Sequence, residues 1–395
     1  MSFFDNYQFF CVLILILLPA LLLGILEQPL KWYSTAATIL FTALAFFSKP
    51  EQAAYLILFF IIELTVVKGY MALRVSRDRN VRVYRLALFL SILPLILSKL
   101  AGLWGESIFA FLGISYLTFR CAQIIIETYD GLITEMSVFD FTAFVLFFPS
   151  LSSGPIDRSR RFLEDLNSIR PRREYLALAG EGIFKILLGL IYKLILASVF
   201  FKGMGMVDGA RTWYYVIFYA YCYGFYLFFD FAGYSLMAVG TSYLLGIRTP
   251  DNFRRPFQSI DIQEFWDRWH ITLSHWFRDF LFSRFMIQSI RKKRFKNRLN
   301  AACAGFLVNM LVMGLWHGVT PSYILYGFYH GVLLAATEWY KKKSTFYKNH
   351  RQKRWYRFLS WLITLQLVIF GFGQVCMAAR IIIILEGIYY ERNTV

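Results

Sequence analysis

The chain has 395 residues, 58% of them hydrophobic and only 17% charged, with a formal net charge of +17. Soluble globular domains are nearer half apolar and about one quarter charged, so this composition excludes an ordinary soluble enzyme. The basic residues sit in loops between apolar runs, which points to membrane topology and anionic lipid and away from nucleic acid.

Three apolar runs open the chain, at about 8–26, 33–48 and 52–72, each near the length of a bilayer crossing. The first has no basic segment before it and no small-residue cleavage site, and similar runs recur to the C-terminus. It is therefore read as a membrane helix and not as a secretory signal. The loop RVSRDRNVRVYR (74–85) is strongly basic and is assigned to the cytoplasm, which puts the N-terminus outside. Runs at 86–103, 106–129 and 136–151 lead to a second basic loop, 154–175. Three full crossings cannot join two loops on the same side, so one of these runs is re-entrant or incomplete. Ser115, Thr118, Arg120, Gln123 and Glu127 make 106–129 the most polar of the three and assign it to the protein interior.

Runs at 177–201 and 211–247 return the chain to a basic stretch, 248–257. The segment EFWDRWHITLSHWFRDFLF (264–282) follows, with RKKRFKNR (291–298) beyond it. Basic loops on both sides mean that it lies on the membrane or dips in and returns. Read as one helix, Trp266, Trp269, Leu273, Trp276 and Phe280 form an apolar stripe with His270 at its edge, and His275 falls about 140° away. Imidazoles on different faces exclude a zinc helix of the H-E-x-x-H kind. The plainer alternative is an interfacial amphipathic helix with snorkelling charges. Apolar runs at 300–318, 321–340 and 358–386 complete the chain, with the basic loop 341–357 before the last. There is no internal repeat and no linker. The expectation is an all-α polytopic membrane protein of one domain, 1–395, with about 11 transmembrane helices and some re-entrant or interfacial ones.

His317 stands at the end of an apolar run in MGLWHG (313–318), between Trp316 and Gly318. An ionisable side chain in a membrane segment is a functional candidate. The alternative is an interface histidine bonded to a carbonyl. His330 reads as structural and His350 as solvated. The five cysteines have neither metal nor disulfide spacing, and no G-x-S-x-G elbow is present.

FFDFAGYSLMAVGTSYLLGI (228–247), NFRRPF (252–257), EFWDRWHITLSHWFRDFLF and GLWHG, with GISYLTFR (113–120) and SGPIDRSRRF (153–162), resemble the membrane-bound O-acyltransferase superfamily. The GPIDR loop and the short chain look most like its D-alanyl transfer branch, which esterifies teichoic acids in Gram-positive bacteria. The polar tail EGIYYERNTV (386–395) departs from the usual family end. The resemblance implies a ring of helices around a thin centre, with His317 as the superfamily's membrane histidine and His270 as its partner. It implies D-alanine carried as a thioester on the phosphopantetheine of a small acidic carrier protein at the cytoplasmic side. No permanently bound cofactor and no metal are expected. The acceptor would be a hydroxyl at the outer face, ultimately on lipoteichoic or wall teichoic acid, reached with accessory membrane proteins, in the cell membrane of a Gram-positive bacterium. Trp266, Trp269, Trp316 and Ser115 become candidates for the substrate tunnel. Arg291, Lys292, Lys293 and Arg294 become candidates for carrier docking. Two rival readings remain: an O-acetyltransferase of an extracellular polysaccharide, and a transporter or flippase with histidine proton relays.

Overall fold

The computed structural model describes Phe4 and residues 7–76, 78–207 and 212–393, with side chains up to Gly373. Among these the regular structure is helical throughout. The chain forms α1 (Tyr7–Ile25), α2 (Lys31–Phe46), α3 (Pro50–Ser76), α4 (Val81–Ala101), α5 (Ile114–Asp130), α6 (Val138–Val145), α7 (Ser159–Asn167) and α8 (Arg172–Leu190). After a π-helical turn come α9 (Ala197–Met206) and α10 (Trp213–Leu244). Then follow α11 (Ile262–Trp266), α12 (Ile271–Phe277), α13 (Ser283–Arg291), α14 (Arg298–His317), α15 (Pro321–Lys343), α16 (Thr345–His350) and α17 (Arg354–Asn393). The last helix thus runs through most of the polar tail.

Seven of the described helical segments are long and apolar enough to cross a membrane: Tyr7–Ile25, Pro50–Ser76, Val81–Trp104, Arg172–Met206, Trp213–Leu244, Arg298–His317 and Arg354–Gly373. The expected number was about 11. The difference lies in length and polarity. α2 has 16 residues, α5 has 17 and α6 has 8, while α15 is long but carries Tyr323, Tyr326, Tyr329 and His330. The all-α, multi-pass character of the chain stands.

The contacts divide the chain into two compact units, residues 1–193 with 231–251, and residues 194–230 with 252–395. In the first, α5 is the buried centre. Leu117, Cys121, Ile124 and Ile125 have no exposed surface, and α3 and α4 pack on the helix. This is the segment that the sequence assigns to the interior, and its polar residues explain why. The guanidinium of Arg120, itself buried, donates to the carbonyls of Phe144 (3.0 Å), Val145 (2.8 Å) and Ser150 (2.6 Å) and to the Ser150 hydroxyl (2.6 Å). A cation thus satisfies carbonyls that the end of α6 leaves open. One and two turns further along, Gln123 accepts from Arg158 and Glu127 accepts from the Ser159 hydroxyl at 3.0 Å. Gly113 starts α5 at φ 95°, and a Cβ there would meet the Leu151 carbonyl oxygen at 2.5 Å. Only glycine tolerates both demands.

In the second unit α14 and α15 form a hairpin across residues 318–320. Its close crossing is made by Gly314 on α14 and by Gly327 and Gly331 on α15. A Cβ on Gly327 would lie 2.4 Å from the Met310 carbonyl, and one on Gly314 the same distance from that of Tyr323. Small residues spaced four apart let membrane helices approach backbone to backbone. α17 also packs on α15. The Tyr329 hydroxyl donates to the Leu367 carbonyl at 2.9 Å, and the Trp361 indole to the Phe257 carbonyl at 2.8 Å.

Replacing Arg120 by leucine would leave three carbonyls and a hydroxyl in a dry interior without their donor. The expected cost is about 1–3 kcal/mol for each buried group left unsatisfied, seen as loss of folded protein in detergent extracts and a clear fall in melting temperature.

Candidate active site

The segment 262–282 is not one helix, and this corrects the amphipathic-stripe reading. α11 ends at Trp266, the chain turns at 267–270, and α12 starts at Ile271. His270 sits at the turn with φ 43° and ψ 52°. The left-handed region costs a residue with a Cβ roughly 1–2 kcal/mol, so something must hold it. The holder is NFRRPF, which runs alongside. Arg254 N–H donates to the Arg268 carbonyl at 3.0 Å, and Ile271 N–H donates to the Asn252 carbonyl at 2.8 Å. The buried Asn252 amide oxygen accepts from the Thr272 hydroxyl at 2.6 Å and from its N–H at 3.3 Å. The His270 carbonyl in turn accepts from Ser274 N–H, starting α12.

The tryptophans of the segment diverge for the same reason. Trp269 is the centre of an aromatic core, its ring centroid 5.1 Å from Phe253, 5.5 Å from Phe265 and 4.9 Å from Phe372. It is packing. Trp266 instead meets His330 edge-on at 5.3 Å and lines a cavity. His330 is fully buried and T-shaped against Tyr326 at 4.6 Å, in keeping with a structural part.

His317 ends α14. Its ring stacks near Tyr323 at 5.8 Å, lies edge-on to Tyr326 at 6.0 Å and touches Trp316 at 4.5 Å. The glycine crossing of α14 and α15 is what brings these tyrosines so close. His317 is exposed in the protein fold, whereas His270 is 4% exposed. The buried imidazole is His270, outside the candidate spans. Burial, and after it the neighbouring His317, lowers its pKa to about 3, so it is neutral throughout the physiological range.

A cavity of about 270 Å³ lies between the 263–282 segment and α14. Asp267 and Arg278, 3.8 Å apart, stand on one wall, and Asn309, Met310 and Met313 of α14 on another. Met310, Met313 and His317 share a helical face at one-turn intervals, so the cavity runs along the side of α14 that ends at His317. Two polar atoms in it, Trp266 Nε1 and Asn309 Oδ1, have no partner among the described residues. Asn252 and Asn309 were missed in the sequence, because an asparagine in a loop or an apolar helix has no periodicity of its own.

Ser115 lies on the first turn of α5 and belongs to the first unit. Arg291 ends α13 and Lys292, Lys293 and Arg294 follow it, all exposed and without a carboxylate partner among the described residues.

Residues 30–369 match the model of the membrane-bound O-acyltransferase family. A teichoic acid D-alanyltransferase of Bacillus subtilis is 39% identical over 385 residues, covering 94% of this chain and 97% of that protein. One from Streptococcus thermophilus is also 39% identical, covering 93% of each chain. A probable alginate O-acetylase of Pseudomonas putida is 35% identical over 232 residues, 57% of this chain and 45% of that one.

Changing Asn252 to leucine removes the acceptor for two donors of Thr272. The fold should lose about 1–3 kcal/mol, read as a lower melting temperature, with the His270 turn exchanging its amide hydrogens faster than the rest of the second unit.

Proposed function

The chain belongs to the membrane-bound O-acyltransferase family, and on that premise we propose that it moves D-alanine from a carrier-protein thioester to a hydroxyl acceptor destined for teichoic acid. The observation that carries the reading is a cavity lined by Trp266, Asn309, Met310 and Met313 on the face of α14 that bears His317, with the buried, neutral His270 in the turn that follows Trp266. Support for the D-alanyl group over an acetyl group comes from the relatives. The named D-alanyltransferases match over more than nine-tenths of the chain, and the O-acetylase over little more than half.

The donor substrate is a phosphopantetheine arm with two amides and a terminal thioester. An open N–H donor on Trp266 and an open C=O acceptor on Asn309 suit amide groups, and the methionines suit its methylenes. His317 accepts the proton of the acceptor hydroxyl as its oxygen attacks the thioester carbonyl. The carbon–sulfur bond breaks, and the leaving sulfur takes the proton back as a thiol. Neutral His270 donates a hydrogen bond to the carbonyl oxygen as charge builds there, the role of an oxyanion-hole donor. A thioester is already activated, so holding donor and acceptor together supplies much of the remaining acceleration. The carrier comes from the cytoplasm and the acceptor from the outer face of a cell membrane, with the N-terminus outside and accessory membrane proteins presenting the acceptor.

Replacing His317 by alanine should lower D-alanine incorporation into teichoic acid by about 10²–10⁴-fold, with membrane insertion intact. His270→Ala should lower it less. Normal incorporation in the His317 variant would remove the general base and the mechanism with it.

Carrier docking makes a separate expectation. Acyl carriers are acidic, and Arg291, Lys292, Lys293 and Arg294 form an uncompensated basic rim. One exposed charge pair is worth about 0–1 kcal/mol, so single changes should be mild. Reversing three of the charges, or adding salt, should slow carrier association together. Stopped-flow binding in neutral detergent, indifferent to both, would move docking to another surface.

A further inference from the structure

A second and larger cleft, of about 830 Å³, lies in the second unit and shares no lining residue with the cavity along α14. Its inner track is Leu359, Ile363 and Leu367 on successive turns of α17. Its mouth is Arg351, Trp355 and Tyr356, where α16 joins α17. The track belongs to a helix apolar enough to cross the membrane, Arg354–Gly373, and Arg351 lies just before that span. The cleft therefore opens where hydrocarbon gives way to headgroups. Phe346, Trp355 and Tyr356 cluster there, with centroids about 6 Å apart, as aromatics do at a membrane interface.

Of the charged residues that line the cleft, Asp261 and Lys341 offset one another, which leaves Arg351 as its net charge. Residues 341–357 hold eight basic side chains and no acidic one. Among the described residues only Lys341 of the eight has a carboxylate partner, Asp261 at 2.7 Å. A basic mouth on an apolar track matches a ligand with an anionic head and a hydrocarbon tail. We propose that the cleft holds one anionic phospholipid, its phosphate at Arg351 and an acyl chain along Leu359, Ile363 and Leu367. The cleft lies within the size range of small-ligand sites, roughly 300–1,000 Å³. A zwitterionic lipid offers the same chain but cancels the attraction of the mouth. The site is independent of the acyl group that the enzyme transfers. It would tie the basic loop between α15 and α17 to the membrane surface.

Native mass spectrometry of the full chain in mild detergent, with phosphatidylglycerol or phosphatidylcholine added, tests this. One phosphatidylglycerol should be retained in preference to phosphatidylcholine. Arg351→Gln should weaken retention about five-fold, and Ile363→Trp, which fills the track, should weaken it at least as much. Lys348→Gln, a basic loop residue outside the lining, should stay near wild type. Equal retention of the two lipids, equal loss in the Lys348 variant, or unchanged retention in both cleft variants would overturn the proposal. So would displacement of the lipid by carrier protein, which would assign the cleft to the carrier.

Discussion

The left-handed turn at His270 is the constraint on which the site depends. A histidine there does not stay by preference. It stays because two backbone bonds to the 252–254 segment and the Asn252 side chain fix the residues on either side of it. That turn breaks what would otherwise be one helix. It sends Trp269 into an aromatic core and Trp266 toward the cavity, and it sets a buried imidazole near His317. A straight helix through 262–282 could not do all three, because its side chains would repeat on one face every 3.6 residues.

The second constraint acts through glycine. At Gly314 and Gly327 the α14–α15 crossing has no room for a Cβ, and at Gly331 the fit is tight, so the end of α14 is pressed against the start of α15. His317 gains ring contacts with Tyr323 and Tyr326 from this approach. The first unit follows the same logic with a cation in place of glycine. Arg120 gathers the open carbonyls at 144–150 around one buried guanidinium, which is how irregular backbone is made tolerable in a membrane protein.

Much of this was legible in the sequence. The long apolar runs gave the all-α membrane class. The polar residues of 106–129 marked α5 as interior, since a lipid-facing helix has no use for Arg120 or Glu127. His317 and His270 stood out as ionisable groups in oily surroundings. Other features were hidden for physical reasons. The break at 267–270 carries no proline or glycine, so periodicity continued through it, and only tertiary hydrogen bonds reveal it. The same bonds are why Asn252 matters. Among the described residues seven helical segments meet the length and hydropathy of a crossing, while α2, α5 and α6 are shorter and α15 carries polar residues. The exposure of His317 was likewise invisible, because a run of apolar neighbours does not say whether the helix end is covered.

The central claim is that this site discharges a D-alanyl thioester from a carrier protein. The most direct measurement is the release of free carrier thiol by membranes containing the protein, with D-alanyl-carrier and acetyl-carrier offered in parallel. The account predicts acceptor-dependent release from the D-alanyl-carrier, lost in His317→Ala, and little from the acetyl-carrier. Release from the acetyl-carrier alone, or equal release by the His317 variant, would contradict it.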